Sequence, residues 1–122
     1  QGYILLCQQL MQYPIDFSGS WNFGSSNEDV ASVSKLADIM IKNWGEEVSW
    51  ILDKEAHPHE ARLLTLDSSK ANDKLNWRPI WNLDRALSET IQWYKAWNSN
   101  KDMQKFSIKQ IEYYHQECLK NE

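Results

Sequence analysis

Apolar residues recur at helical spacing in four places along this chain. Over 3–11, Tyr3, Leu6, Cys7, Leu10 and Met11 fall on one side of a helix. Pro14 and Gly19 lie beyond it as stops. Val33, Leu36, Ala37, Met40 and Trp44 follow at three- and four-residue steps. Ser32 precedes them as a good N-cap, and Gly45 stands where a left-handed C-terminal cap belongs. A third stripe, Leu83, Ala86, Leu87, Thr90, Ile91, Tyr94 and Trp97, predicts a helix over 83–97. A fourth helix starts after Ser107 and carries Ile108, Ile111, Tyr114, His115 and Cys118.

Between these helices the pattern changes. The aromatic stretch 20–24, ended by Gly24, predicts a short strand, as does the Val, Trp and Ile content of 48–52. Residues 54–60 are polar, contain Pro58 and predict a loop. A short strand over 63–66 follows. Asp67 then caps a short helix over 68–75, which Asn76 ends and Pro79 forbids from continuing. Trp77 to Trp81 is an extended connection. The coarse picture is a small α/β unit, mostly helices with a few short strands, with 1–122 as one domain.

Size and charge narrow the functional classes. A chain of 122 residues can bury roughly two-thirds of its unfolded surface. With 42% hydrophobic residues and seven Trp it is far from a disordered composition. Net charge is −4, and its 13 Lys and Arg form no basic stripe, so nucleic acid is not an expected partner. No apolar run approaches the roughly 18 residues a membrane span needs. Cys7 and Cys118 lie at opposite ends without metal-ligand spacing, which fits free thiols in a reducing, cytoplasmic setting. The chain opens on Gln1 and passes directly into an apolar helical pattern, which predicts a piece of something longer.

Candidate chemistry is sparse. Gly2, Gly19, Gly24 and Gly45 are too far apart for a dinucleotide fingerprint or a P-loop. There is no Gly-x-Ser-x-Gly elbow and no Tyr-x-x-x-Lys pair, so no catalytic residue is expected in this chain. The densest polar cluster is His57-Pro58-His59-Glu60-Ala61-Arg62. It fits three readings. Metal binding by His57 and His59 is the weakest, because a third ligand is missing. Ligand contact is the second: Glu60 accepts from ribose hydroxyls while His59 or Arg62 donates to phosphate. A solvated loop is the third, and the residues alone favour it.

Most Trp residues read as packing rather than as a sugar platform. Trp44, Trp93 and Trp97 fall on or beside helical stripes. Trp77 and Trp81 flank Pro79 and fasten the connection to the core. The Asp84 and Glu89 carboxylates read as ordinarily solvated helix positions, Asp84 with a favourable dipole contribution.

Three stretches resemble the C-terminal half of CDP-glucose 4,6-dehydratases, members of the extended short-chain dehydrogenase/reductase superfamily. The first is Gly2-Tyr3-Ile4-Leu5-Leu6 with Trp21-Asn22-Phe23-Gly24. The second runs from His57-Pro58-His59-Glu60-Ala61 through Leu64-Thr65-Leu66-Asp67-Ser68-Ser69-Lys70-Ala71. The third is Leu75-Asn76-Trp77-Arg78-Pro79 with Trp81, Leu83, Ala86, Leu87, Thr90, Trp93 and Tyr94. The Ser-Lys-Ala, Leu-x-Trp-x-Pro and Leu-x-x-Ala-Leu-x-x-Thr elements are shared across the superfamily. The Pro-His-Glu-Ala run and the aromatic third stretch point to the CDP-glucose branch.

The resemblance implies the small substrate-binding domain of such an enzyme, with the Rossmann domain and its tightly bound NAD outside this chain. The intact enzymes oxidise the hexose at C4, eliminate water across C5 and C6 and reduce C6, on the way to dideoxy sugars of surface polysaccharides. By that analogy His59 and Glu60 face the CDP portion of CDP-glucose, with His57 and Arg62 as further candidates. It further implies a homo-oligomeric intact enzyme and an inactive isolated piece; the apolar face of helix 3–11, exposed in such a piece, is expected to promote self-association. Another nucleotide-sugar epimerase or dehydratase, or a stand-alone non-catalytic binding module, is the alternative.

Overall fold

The computed structural model describes residues 1–26, 29–45, 48–53 and 65–120. They contain six helices: α1 (Gly2–Gln12), α2 (Pro14–Phe17), α3 (Val33–Trp44), α4 (Ser69–Leu75), α5 (Leu83–Asn98) and α6 (Met103–Lys120). Among the described residues no helix is long and apolar enough to cross a membrane.

Local chemistry sets the helix ends. The Ser32 hydroxyl accepts the Lys35 amide at 3.3 Å, and Gly45 ends α3 at φ +78° with its N–H on the Ile41 carbonyl at 3.1 Å. Asn82 caps α5 by accepting the Arg85 amide at 2.9 Å. Asn76 ends α4 in the left-handed region, φ +48°. Two ends differ from the sequence expectation. Pro14 does not merely stop α1; it opens the one-turn α2, because a proline at the first helical position loses no needed N–H. The last helix starts at Met103, not after Ser107, because the Asp102 carboxylate accepts the Lys105 amide at 3.1 Å and caps that earlier turn.

The chain packs as two compact units, Gln1–Val30 with Leu64–Pro79, and Ala31–Leu63 with Ile80–Glu122. In the first, α1 packs on α2 and α4. Its centre is aromatic: Phe23 meets Tyr3 and Trp77 edge to face at centroid distances of 5.1 and 5.0 Å. Each such pair adds about 1 kcal/mol beyond the area it buries. Ala71 and Trp77 are buried here, so Trp77 fastens the connection as expected. In the second unit α5 packs on both α3 and α6 and buries Ile91 and Ala96, while α6 buries Cys118.

The expected strands do not form among the described residues. A strand exists only through a partner ladder, and β-rich composition does not supply one. Residues 20–24 join no ladder and are held by side chains instead: Lys70 donates to the Ser20 carbonyl at 3.0 Å and Asn22 to the Asp67 carbonyl at 3.2 Å. Residues 48–52 are exposed, with the Trp50 indole N–H on the Asp38 carboxylate at 2.9 Å. Residues 63 and 64 lie outside the described residues, and 65–66 form no strand.

The helical stripes are less buried than their periodicity predicts. Tyr3 and Met11 on α1, Tyr94 and Trp97 on α5, and Ile108 and Ile111 on α6 are exposed. Trp97 is therefore not a core residue. Glu89, expected to be solvated, is 9% exposed instead. Arg85 and Gln110 bind its carboxylate, which makes that burial tolerable.

Candidate functional site

His57, His59, Glu60 and Arg62 lie outside the described residues. What the structure does show is the meeting, within the first unit, of parts of all three stretches that carry the resemblance. Gly24 from the first, residues 66–69 from the second, and Arg78 and Pro79 from the third line one cavity of about 300 Å³ with Ser25, Ser26 and Asn72. That volume lies at the small end of ligand cavities.

Its walls are set by bonds between the stretches. Ser68 sits at the N-cap of α4, where its hydroxyl oxygen accepts the Gly24 amide at 2.9 Å. Asp67 accepts from both the Ser69 amide, at 2.9 Å, and the Ser69 hydroxyl, at 2.6 Å. Those two bonds, the hydroxyl first, hold the Asp67 carboxyl below its ordinary range. Ser26 donates to the Asp29 carboxylate at 2.8 Å. Gly24 permits the close approach: a Cβ there would lie 3.0 Å from the Leu66 Cβ and 3.4 Å from the Ser68 hydroxyl. Beside this cavity the Lys70 ammonium stands 4.2 Å from the centre of the Trp21 ring, which stacks on Phe17 at 5.8 Å and 6°.

Among the described residues these groups suit hydrogen bonding to a polar partner. An Asp whose pKa is lowered stays ionised near neutrality and accepts hydrogen bonds, so it is a poor general acid. Among the described residues neither His nor Lys lines the cavity, and the Ser69 and Ser26 hydroxyls donate to the carboxylates of Asp67 and Asp29. Hydroxyls, the Asn72 amide and the Arg78 guanidinium suit a polar or anionic group. Sequence reasoning had assigned Arg78 and Ser68 no role. The usable signal is the Trp77-Arg78-Pro79 run itself: Trp77 is buried, and the adjacent Arg78 is exposed.

No family model matches the chain. Over 113 residues, 93% of its length, it is 44% identical to the CDP-glucose 4,6-dehydratase of Salmonella typhimurium. It is 24% identical over 85 residues, 63% of its length, to the dTDP-glucose 4,6-dehydratase of the same organism. To the dTDP-glucose 4,6-dehydratase of Xanthomonas campestris pv. campestris it is 27% identical over 48 residues, 39% of its length. The chain spans 32% of the first relative's length, 23% of the second's and 13% of the third's. All three relatives are glucose-nucleotide 4,6-dehydratases, and the first match extends along nearly the whole chain. The chain is thus a relative of CDP-glucose 4,6-dehydratase, matching the C-terminal part of that longer protein.

Proposed function

We propose that this chain is the nucleotide-sugar-binding domain, 1–122, of a cytoplasmic NAD-dependent CDP-glucose 4,6-dehydratase that serves dideoxy-sugar and surface-polysaccharide synthesis. The identity of 44% over 93% of the chain supports this reading. The overall reaction converts CDP-glucose to CDP-4-keto-6-deoxyglucose and water, so it is a hydro-lyase reaction with no net redox change. Nothing in this chain fits the dinucleotide, because its four glycines are widely separated. We therefore assign NAD to the part of the enzyme outside this chain.

The role left to these residues is grip. Binding energy from the unreactive CDP handle orients the hexose for chemistry carried out elsewhere. His59 and Glu60 contact the CDP moiety, Glu60 at the ribose, with His57 and Arg62 beside them. The dTDP-glucose relatives favour a second reading, the same chemistry on another nucleotide. A binding screen of CDP-, dTDP-, UDP- and GDP-sugars on the whole enzyme separates the two.

The site assignment is tested by kinetics on an enzyme that carries this sequence as its C-terminal part. His59→Ala and Glu60→Ala raise KM more than they lower kcat. An unchanged KM for both variants rejects the assignment. The chain alone, holding only part of the pocket, binds CDP-glucose weakly or not at all; micromolar affinity by calorimetry contradicts that.

A further inference from the structure

A second cavity, in the unit built from α3, α5 and α6, has walls of a different kind. It measures about 320 Å³ and is lined by Trp81, Glu89, Thr90, Trp93, Tyr94 and Gln110. Both indoles are fixed in orientation. Trp81 donates its ring N–H to the Glu117 carboxylate and meets the Tyr114 ring edge to face at 4.9 Å. Trp93 donates to the Ser107 hydroxyl at 3.0 Å and meets Tyr94 edge to face at 5.4 Å.

The donors of the lining residues are mostly engaged, which leaves acceptors. The Gln110 amide nitrogen donates to both the Glu89 carbonyl and the Glu89 carboxylate, each at 2.8 Å. Two oxygen partners fix the nitrogen's position, so the Gln110 amide oxygen is turned away from them as an acceptor. Thr90 commits its hydroxyl hydrogen to the Ala86 carbonyl at 2.8 Å. With both indole N–H groups also engaged, the Tyr94 hydroxyl is the one remaining donor among these six side chains. The acceptors among the lining residues are the Glu89 carboxylate, already shared with Arg85 and Gln110, and the Thr90 and Gln110 oxygens, beside aromatic rings. Such a set suits a guest that brings positive charge and no lone pairs.

The same unit already shows the pairing. Arg85 binds the Glu89 carboxylate at 2.7 Å while its guanidinium lies 4.6 Å from the centre of the Tyr113 ring. We propose that the Trp81–Trp93–Tyr94 cavity binds an alkylammonium group, with Glu89, Thr90 and Gln110 as acceptors. Arg85 offsets the charge of Glu89, so the affinity is weak, with a dissociation constant on the order of 1 mM.

The test is a nitrogen-15 titration of the full chain at constant ionic strength. Tetramethylammonium and n-butylammonium distinguish a quaternary head from a primary, lysine-like amine. tert-Butanol supplies the shape without charge, and glucose supplies hydroxyls without charge. Saturable shifts of the Trp81 and Trp93 indole signals are expected with at least one ammonium ion and with neither neutral compound. Tyr94→Ala weakens the binding about fivefold. Thr90→Val, which removes one acceptor from an exposed position, weakens it without threatening the fold. Met40→Ala, in the neighbouring apolar cavity beside Trp44 and Trp97, which shares only Tyr94 with this one, leaves it unchanged. Shifts that do not saturate, equal binding of tert-butanol or glucose, or loss on Met40→Ala with retention in Thr90→Val overturn the proposal.

Discussion

Ser68 and Gly24 are joined across 44 residues of chain by one hydrogen bond, the Gly24 amide donating to the Ser68 hydroxyl oxygen at 2.9 Å. This bond ties two of the three stretches that carry the resemblance and forms one wall of the polar cavity. Ser68→Ala removes the acceptor and leaves a part-buried N–H without it, at a cost of about 1 kcal/mol. In urea denaturation the midpoint falls while the slope is unchanged. An unchanged midpoint means the bond contributes nothing to the folded state.

A tighter relationship fixes the start of α1. Gly2 is buried, and a Cβ there would lie 2.6 Å from the Phe23 Cε1 and 3.2 Å from the Trp77 Nε1. The Phe23 ring cannot easily yield, because Tyr3 and Trp77 both abut it edge to face. Gly2→Ala therefore destabilises the first unit by about 1–3 kcal/mol, although alanine is the better helix former. Thermal unfolding followed by Trp fluorescence measures it.

Asp67 makes part of the stability depend on acid. The Ser69 hydroxyl, and after it the Ser69 amide, hold the carboxyl below its ordinary pKa. A lowered folded-state pKa means that the unfolded chain binds the proton more readily. The contribution is thus complete above the ordinary Asp pKa and disappears as pH falls through the lowered folded value. In Ser69→Ala the carboxyl titrates closer to its ordinary value, read by NMR of the Asp67 side chain, and the acid limb of stability becomes less steep.

The sequence made some of this legible and hid the rest for identifiable reasons. Helix 33–44 was readable at both ends because Ser32 and Gly45 act on neighbouring backbone alone. The strands were not, since pairing is a long-range property and 20–24 is held by Lys70 and Asn22 side chains. Burial was the weakest inference. The stripe through Tyr94 and Trp97 has helical period, yet period states which residues share a face and not whether that face is covered. Glu89 was misread because its partners stand four residues back at Arg85 and on α6 at Gln110. The Asp67, Ser68 and Arg78 cavity was legible as three resembling stretches, but only folding shows that they meet.

Gly45 offers a clean measure of backbone strain. Its φ is +78° and, among the described residues, nothing lies within 4 Å of where a Cβ would stand. Gly45→Ala meets no clash, so its whole effect is the left-handed penalty, about 1 kcal/mol. Gly45→Asn costs less, because asparagine tolerates that region. The two variants, compared by denaturant midpoint, should fall in that order. Equal stability of Gly45→Ala and the parent means this residue does not keep the left-handed turn in solution.

The Arg85–Glu89 pair is energetically asymmetric. Its side chains are 40% and 11% exposed, so the two charges differ in their access to water. Glu89→Ala frees an arginine that can turn outward and hydrate, and one Gln110 hydrogen still reaches the Glu89 backbone carbonyl. Arg85→Ala instead strands a carboxylate that is nearly buried, and it removes the guanidinium from the Tyr113 face. The arginine variant therefore loses more, about 2–3 kcal/mol against about 1–2 for the glutamate variant. The double variant loses less than the sum of the two, because the stranded charge goes with its partner. Strict additivity in that cycle means the two side chains do not interact in solution.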